Sequence, residues 1–269
     1  NMARNLTMMT DFYEFTMSQA YFEAGKKDEV AVFDAFFRRN PLKGGYGVMG
    51  GVDKIIDFVK NIHFTEEDIN YLRSLNLFCE EFLDYLKDFE FACDVWAVPE
   101  GTPIFPMEPI VTVRGPAMQA FIVETMVLLT INHQSLIATK ANRICSVAGA
   151  RPVMEFGARR AHGYDAAYYG ARAAIIGGAL GTSNVKTAQD FGTPVSGTMA
   201  HSWVQLYPDE YTAFKTYAEK YPNSCTLLID TFNVLKSGLP NAIRCFDEVL
   251  KPLGCRPKGV RIDSGDIAY

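Results

Sequence analysis

Apolar positions early in the chain alternate between two spacings. Val52, Ile55, Ile56 and Val59 fall at i, i+3, i+4 and i+7, which gathers one stripe on a helix. Before them, Phe12, Tyr13 and Phe15 follow Thr10 or Asp11 as candidate caps, and Gly25 is placed to end that helix in a left-handed conformation. The run from Val30 to Phe37 predicts a strand, followed by Arg38, Arg39 and a glycine-rich loop from Gly44 to Gly51. Thr65 with Asp68 predicts a capping box. From Phe91 to Val113, short pieces rich in Val, Ile and Pro, bounded by Gly101 and Gly115, predict antiparallel sheet. Beyond Pro116 come a long apolar helix and a second helix from Gln134 to Ala148, stopped by Gly149. The change of texture near Gly115 divides the sequence into a mixed α+β domain over 1–115 and a second domain over 116–269.

After Arg151 a short apolar strand, a polar or glycine-containing turn and a helix recur, the rhythm of an α/β fold. Pro152 to Phe156 leads into Gly157, Arg159 and Arg160, and Ala179-Leu180 leads into Gly181, Thr182 and Ser183. Val195 to Met199 leads into His201, Thr226 to Ile229 into Asp230, and Gly259-Val260 into Arg261, Asp263 and Asp266. Consecutive parallel strands finish at one rim, so these side chains are expected to converge there. A closed eight-stranded barrel uses about 250 residues, and fewer than half that number follow Arg151. Either the sheet is open or the chain stops early; the halt at Tyr269, with no helix to cover the last strand, favours truncation.

Composition narrows the function more than the fold. With 48% apolar and 13% aromatic residues among 269, the chain buries a large core, which excludes a disordered tail or a disulfide-stapled miniprotein. The net charge of −5, from 26 basic and 31 acidic residues, leaves no sequence-wide field for nucleic acid or anionic lipid. Phosphate recognition must then be local. The apolar run from Ala120 to Ile131 carries Glu124 and is shorter than the roughly 20 residues of a spanning helix. It predicts a core helix, no membrane partner and a cytoplasmic address. Six cysteines lack a Cys-x-x-Cys pair or zinc-spaced histidines, which predicts packed, reduced thiols.

Arg159, Arg160, His162, Ser183, His201, Asp230, Arg261, Asp263 and Asp266 form the candidate cluster. Arginine forks suit bidentate capture of carboxylate or phosphate. Asp263 and Asp266 are placed to hold Mg²⁺ together with substrate phosphates. The pattern points to an anionic, phosphorylated substrate. Plainer readings stand beside it: the paired arginines as surface ion pairs, and His63 and His133 as structural histidines. The Gly44–Gly51 loop lacks the Lys-Ser ending of a phosphate-binding loop, and Gly177, Gly178 and Gly181 lack a dinucleotide fingerprint. His162 fits either reading. His201, between the small residues Ala200 and Ser202, has room to receive a substrate.

The ordered set Thr10-Asp11-Phe12-Tyr13, Phe36 to Arg39, Glu155 to Ala161, Gly181 to Val185, Gly197 to Ser202, Ile229-Asp230-Thr231 and Arg261 to Asp266 resembles the nicotinate phosphoribosyltransferase family across almost the whole chain. The resemblance implies an irregular α/β barrel, incomplete here, beside a smaller mixed α+β N-terminal domain. It implies transfer of phosphoribose from phosphoribosyl pyrophosphate to nicotinate in NAD salvage, with Mg²⁺, coupled to ATP as co-substrate through a phosphohistidine. His201 corresponds to that histidine, with Asp230 orienting its ring. Phe156 stacks on the pyridine ring, and Tyr13 covers the other face from the neighbouring subunit of a homodimer. Arg159 and Arg261 line the ring's polar edge and the phosphate, Arg38 or Arg39 reaches pyrophosphate, and Asp263 and Asp266 serve the ribose hydroxyls or the metal. Nicotinamide-using relatives place an aspartate where Ser183 stands; a hydroxyl donates to nicotinate's carboxylate, which an aspartate would repel. The resemblance also implies that the loop for the ribose 5-phosphate lies beyond Tyr269. Nicotinamide phosphoribosyl transfer, a fragment that only binds ligand, and a glycosidase using Asp230 and Asp263 are the rival readings.

Overall fold

A computed structural model describes residues 4–267; the halt at Tyr269 lies outside them. Contacts divide the chain into two compact units, Asn1–Val195 and Ser196–Tyr269, a division that falls elsewhere than the change of texture near Gly115.

In the first unit, α1 (Phe12–Glu23) begins at Asp11, whose side chain makes no capping bond. The start of the helix is held instead by Glu14, which is fully buried. Its carboxylate accepts from the Thr10 hydroxyl, and from the backbone N–H and hydroxyl of Thr125 at 3.0 and 2.6 Å. Burial raises the Glu14 carboxyl above its ordinary range, and the Thr10 and Thr125 donors oppose that rise. Three strands, β1 (Val30–Ala35), β3 (Asp94–Ala97) and β5 (Val111–Pro116), form an antiparallel sheet in the order β1-β5-β3. Alternation puts Val111 and Val113 into the core. Arg114, on the other face, stands 3.7 Å from Asp94. A short pair, β2 (Gly47–Val48) and β4 (Pro103–Ile104), lies between them in sequence. Helix α2 (Val52–Asn61) buries Ile55 and Phe58, while Ile56 of the predicted stripe stays 41% exposed. The capping box of Thr65 and Asp68 opens α3 (Glu66–Ser74), and α4 (Glu80–Lys87) follows.

Where the sequence suggested a break near Gln134, α5 (Ala117–Ile122) is followed by one unbroken helix, α6 (Glu124–Ala148). Polar residues on its buried face find partners within the core. Thr139 Oγ1 accepts from the Val48 N–H at 2.8 Å, and Ser135 Oγ accepts from the Gly50 N–H at 3.1 Å, so hydroxyls on α6 satisfy the β2 segment. Ala117–Ala148 is long and apolar enough to cross a membrane by length and composition, but 56% of its apolar window is buried inside the protein.

After α6 the chain forms β6 (Met154–Glu155), α7 (Tyr164–Ile176), β7 (Gly181–Thr182) and α8 (Val185–Phe191). Strands β6 and β7 are parallel. A Cβ on Gly177 would stand 2.3 Å from the Ala138 carbonyl oxygen, so glycine is required where α7 ends against α6.

Arg172 on α7 binds both oxygens of Glu100 at 2.9 and 2.7 Å, and Glu100 also accepts from the Gly51 and Val52 N–H groups at the start of α2. Their side chains are only 11% and 16% exposed.

The second unit contains α9 (His201–Gln205), α10 (Glu210–Lys220), β8 (Thr226–Leu228), α11 (Leu239–Cys245) and β9 (Gly259–Arg261). Strands β8 and β9 are parallel, and the core beneath them includes Val204, Phe214, Leu227 and Leu250. The strand expected from Val195 to Met199 does not form: Val195 makes one isolated bridge to Thr182. Ser196 and Gly197 are exposed and offer no apolar side chain to bury. Among the described residues the strands make a three-stranded sheet and three two-stranded ones. The fold is mixed α/β, and no closed sheet is formed among these residues, because each parallel pair is only two or three residues long.

Removing one partner of the Arg172–Glu100 pair leaves the other partner underpaired. Arg172→Met is expected to cost about 3 kcal/mol in chemical denaturation at neutral pH. Burial alone would raise the Glu100 carboxyl, but Arg172 and the two N–H groups hold it below its ordinary value of 4.5. Its contribution is therefore complete above about pH 4.5 and lost as pH falls through the lower folded value, so the penalty should shrink in acid. A penalty constant down to pH 3 would contradict this account.

Candidate active site

In the second unit, parallel pairing sets the ends of β8 and β9 side by side. The Ile229 N–H donates to the Arg261 carbonyl at 3.1 Å, which places Asp230 beside the turn 262–266. Asp230 Oδ2 accepts from the N–H groups of Asp263 and Ser264 at 2.9 and 2.8 Å, and from the Ser264 hydroxyl at 2.8 Å. Burial opposes ionisation, but these donors, with His201 nearby, hold the Asp230 carboxyl below its ordinary value of 3.8. Behind it, a Cβ on Gly238 would lie 1.8 Å from the Ile229 carbonyl oxygen.

His201 opens α9 and joins this cluster. Its Nδ1 is 3.1 Å from Thr231 Oγ1 and its Nε2 is 3.6 Å from Asp263 Oδ2. Arg261 donates to Thr198 Oγ1 at 2.9 Å and to the other oxygen of Asp263. The His201 side chain is 37% exposed, so a phosphorylated ligand can reach it. A neutral imidazole keeps one lone pair and is a nucleophile near neutral pH; Thr231 and Asp263 meet its two nitrogens and bias which carries hydrogen. Thr231, not Asp230, contacts the ring: Asp230 acts on it through charge, and its hydrogen bonds go to the turn.

In the first unit, Phe156 and Ser183 follow β6 and β7 directly, and the Ser183 N–H donates to the Glu155 carbonyl at 3.0 Å. Both side chains are half-buried, and Arg159 is exposed in the helical turn Ala158–Arg160 that follows Phe156. The Glu155 carboxylate accepts from the Gly157 N–H and, at 2.6 Å, from the Thr182 hydroxyl. Tyr13, Arg38 and Arg39 stand on other elements. Tyr13 meets Phe121 edge to face at 5.7 Å, and its phenol is pushed up to about 12, by burial first and by Glu124 beside it. Arg38 and Arg39 are exposed after β1.

Elsewhere in this unit a cavity of about 970 Å³ is lined by His133, His162 and Asn184, among others. Its rim charges neutralise one another as Arg4–Asp165, Lys54–Asp57 and Lys186–Asp190 pairs, so it offers no net charge to select an anion. His63 bonds the Asn61 carbonyl at 2.7 Å, the structural reading.

Among the described residues no group of three or more His, Cys, Asp or Glu side chains is arranged to hold a metal ion. Asp263 gives one oxygen to Arg261 and turns the other toward His201, and Asp266 is exposed in the same turn. These residues do not make a protein cage for Mg²⁺. Glu155, Thr182, Thr198, Thr231 and Ser264 carried no assigned role in the sequence reading. For Glu155, Thr182, Thr231 and Ser264 the available signal was a hydroxyl or carboxylate at the end of a short strand or within three residues of it; Thr198 follows no strand.

Asp230→Asn keeps the shape and loses the charge that faces three donors. It should destabilise the second unit by about 2 kcal/mol, the scale of hydrogen bonds to a charged group. Because the folded carboxyl lies below 3.8, its contribution is present above about pH 4 and lost as pH falls through the folded value. Acid unfolding below that point should therefore be shallower in the variant; an unchanged acid limb would show that the carboxylate does not hold the turn.

Comparison with known proteins gives this geometry a family. Residues 8–132 match the nicotinate phosphoribosyltransferase N-terminal domain, and residues 152–269 match the nicotinate phosphoribosyltransferase family. The Bacillus subtilis protein named nicotinate phosphoribosyltransferase is 46% identical over 267 residues, covering 98% of this chain and 54% of its own length. A Mycobacterium tuberculosis protein named nicotinate phosphoribosyltransferase pncB2 is 45% identical over 262 residues, covering 97% of this chain and 55% of its own. The crystal structure of human nicotinic acid phosphoribosyltransferase superposes with a TM-score of 0.88 at 31% identity, over 96% of this chain and 61% of that one. The nicotinate-nucleotide pyrophosphorylase from Pyrococcus furiosus superposes at 0.75 with 26% identity, over 98% of this chain and 60% of that one. The chain spans about half the length of the curated relatives it matches. It belongs to the nicotinate phosphoribosyltransferase family.

Proposed function

We propose that the protein carrying this chain joins nicotinate to phosphoribose in NAD salvage, using phosphoribosyl pyrophosphate and, as co-substrate, ATP. The observation that carries this reading is the placement of Phe156 and Ser183 at neighbouring parallel strand ends, bridged by the 3.0 Å bond from Ser183 N–H to the Glu155 carbonyl. An aromatic face and a hydroxyl donor side by side suit a flat ring bearing a carboxylate. Tyr13, with its phenol kept protonated, covers the ring's second face from the partner subunit of a homodimer, and Arg159 lies at its polar edge.

In the transfer the ring nitrogen's lone pair forms a bond to the ribose carbon while the bond to pyrophosphate breaks and the leaving group takes its electrons. Nicotinate's nitrogen is already unprotonated, so no side chain need act as a base. Charge on the leaving group is the larger problem. Arg261 supplies a guanidinium to the phosphates, and Arg38 or Arg39 extends this toward pyrophosphate. Asp263 and Asp266 would face the ribose hydroxyls or a Mg²⁺ ion held together with the substrate phosphates, which would neutralise charge on the leaving group. The lone pair of a His201 ring nitrogen attacks the γ-phosphorus of ATP; an N–P bond forms as the bond from that phosphorus to the β,γ-bridging oxygen breaks, ADP leaves with its electron pair, and the charge so placed orders the phosphate-binding groups around it. The parallel pairs β6–β7 and β8–β9, each at the end of a strand-turn-helix repeat, support an irregular α/β barrel as the parent fold. A cytoplasmic location is part of the same proposal.

Incubation of the full-length protein with γ-³²P ATP should label His201, and His201→Ala should abolish the label; persistent labelling of that variant would remove the assignment. Pyrophosphate release should be supported by nicotinate in preference to nicotinamide, and Ser183→Asp should lower the nicotinate preference at least tenfold. Equal use of the two bases by the unaltered protein would overturn the substrate reading. Hydrolysis of glycosides without phosphoribosyl pyrophosphate would favour the glycosidase rival instead.

A further inference from the structure

We propose that Glu155 is a positioning residue for the pyridine substrate, clasping the two turns that carry Phe156 and Ser183. The proposal rests on the nicotinate reading above and assigns a task that the reading leaves empty: what fixes the ring face and the hydroxyl donor relative to each other.

Strands β6 and β7 are too short to do this by their ladder alone. Their register holds two pairs, Met154 with Gly181 and Glu155 with Thr182, and one backbone bond flanks it on each side, Leu180 N–H to the Val153 carbonyl at 2.8 Å and Ser183 N–H to the Glu155 carbonyl at 3.0 Å. Glu155 is the last residue of β6, and both ends of its carboxylate are committed. Oε1 accepts from the Gly157 N–H and so closes the turn after Phe156. Oε2 accepts from the Thr182 hydroxyl at 2.6 Å, one residue before Ser183. Thr182 is fully buried, and with its proton given to Glu155 its oxygen accepts from the Asn184 N–H at 2.9 Å, one residue beyond Ser183. Phe156 and Ser183 are thus each bracketed by residues tied to a single carboxylate, and the Ser183 hydroxyl takes no part in the network.

The closeness of the carboxylate to Gly157 shows in the backbone as well. Its backbone is helical, with φ −86° and ψ −4°, which any residue adopts. A Cβ there would nevertheless lie 2.9 Å from Glu155 Oε1. A side chain at this position would press on the carboxylate and not on the turn itself.

A clasp of this kind acts on ring binding and not on the phosphates. Displacing one of two groups that hold a small ring by about 1 Å is enough to cost two orders of magnitude in rate or affinity. The test is steady-state kinetics on the full-length protein, after the unaltered enzyme has been shown to release pyrophosphate with nicotinate. Glu155→Gln keeps the volume but places an amide N–H₂ against a donor. It is expected to raise KM for nicotinate at least tenfold, leave KM for phosphoribosyl pyrophosphate within twofold, and erode the preference for nicotinate over nicotinamide. Thr182→Val should do the same, Thr182→Ser should restore nearly unaltered values, and the double variant should be no worse than the worse single, since both remove one shared bond. Gly157→Ala provides the same readout with the charge retained, should Glu155→Gln fail to fold.

An unchanged nicotinate KM in Glu155→Gln and Thr182→Val, or an equal rise in both KM values, would overturn the clasp while leaving the transferase reading intact. An unaltered enzyme that does not use nicotinate would overturn both, and the first assay alone reveals that case.

Discussion

The turns after β6 and β8–β9, where most of the candidate residues cluster, are each tied by a carboxylate at, or just beyond, the end of a parallel strand and turned onto a neighbouring loop. Glu155 does this at the end of β6, and Asp230 does it two residues past β8. Parallel pairing brings strand ends together but leaves the following turns without ladder partners, since the hydrogen-bonded register stops where the strands stop. A carboxylate solves this locally because it accepts several N–H or O–H bonds at once, and charge-assisted bonds are stronger than neutral ones. Without them, Phe156, Ser183 and the turn 262–266 would sit on unsupported loops.

The scaffold behind the first group is built on the same economy of polar contacts inside an apolar core. Ser135 and Thr139 on α6 satisfy amides of the β2 segment, and Arg172 with Glu100 fixes the start of α2. Glu14 is buried with a carboxyl that burial pushes upward, and threonine donors compensate. Such groups are costly when unpaired and directional when paired, so they specify how helices meet more tightly than apolar contact alone.

What the sequence revealed divides by the range of the signal. The Thr65–Asp68 box, the glycine stops at Gly25 and Gly149 and the antiparallel texture before Gly115 are local, and each element stands where its signal lies. The strand expected at Val195–Met199 does not form because Ser196 and Gly197, both exposed, interrupt its two apolar ends. The continuity of α6 was obscured by its serine and threonine residues, whose partners lie 85 and 91 residues away. At the site, His201, Asp230, Arg261 and Asp263 stood out as reactive types at strand ends, and the second unit does group them. Thr231 and Thr198 did not, since a threonine in a turn or loop is ordinary until its partner, 30 or 63 residues distant, is known.

Gly238 carries a consequence of a different kind. Its φ of −58° and ψ of −57° suit every amino acid, so only the nearness of the Ile229 carbonyl forbids a side chain. Ile229 immediately precedes Asp230, and any atom added at 238 would push the strand end out from under that carboxylate. A side chain at this position would disturb the cluster while leaving each of its reactive groups chemically whole. A survey that scored loss of function alone would therefore count a spacer among the residues of the reaction.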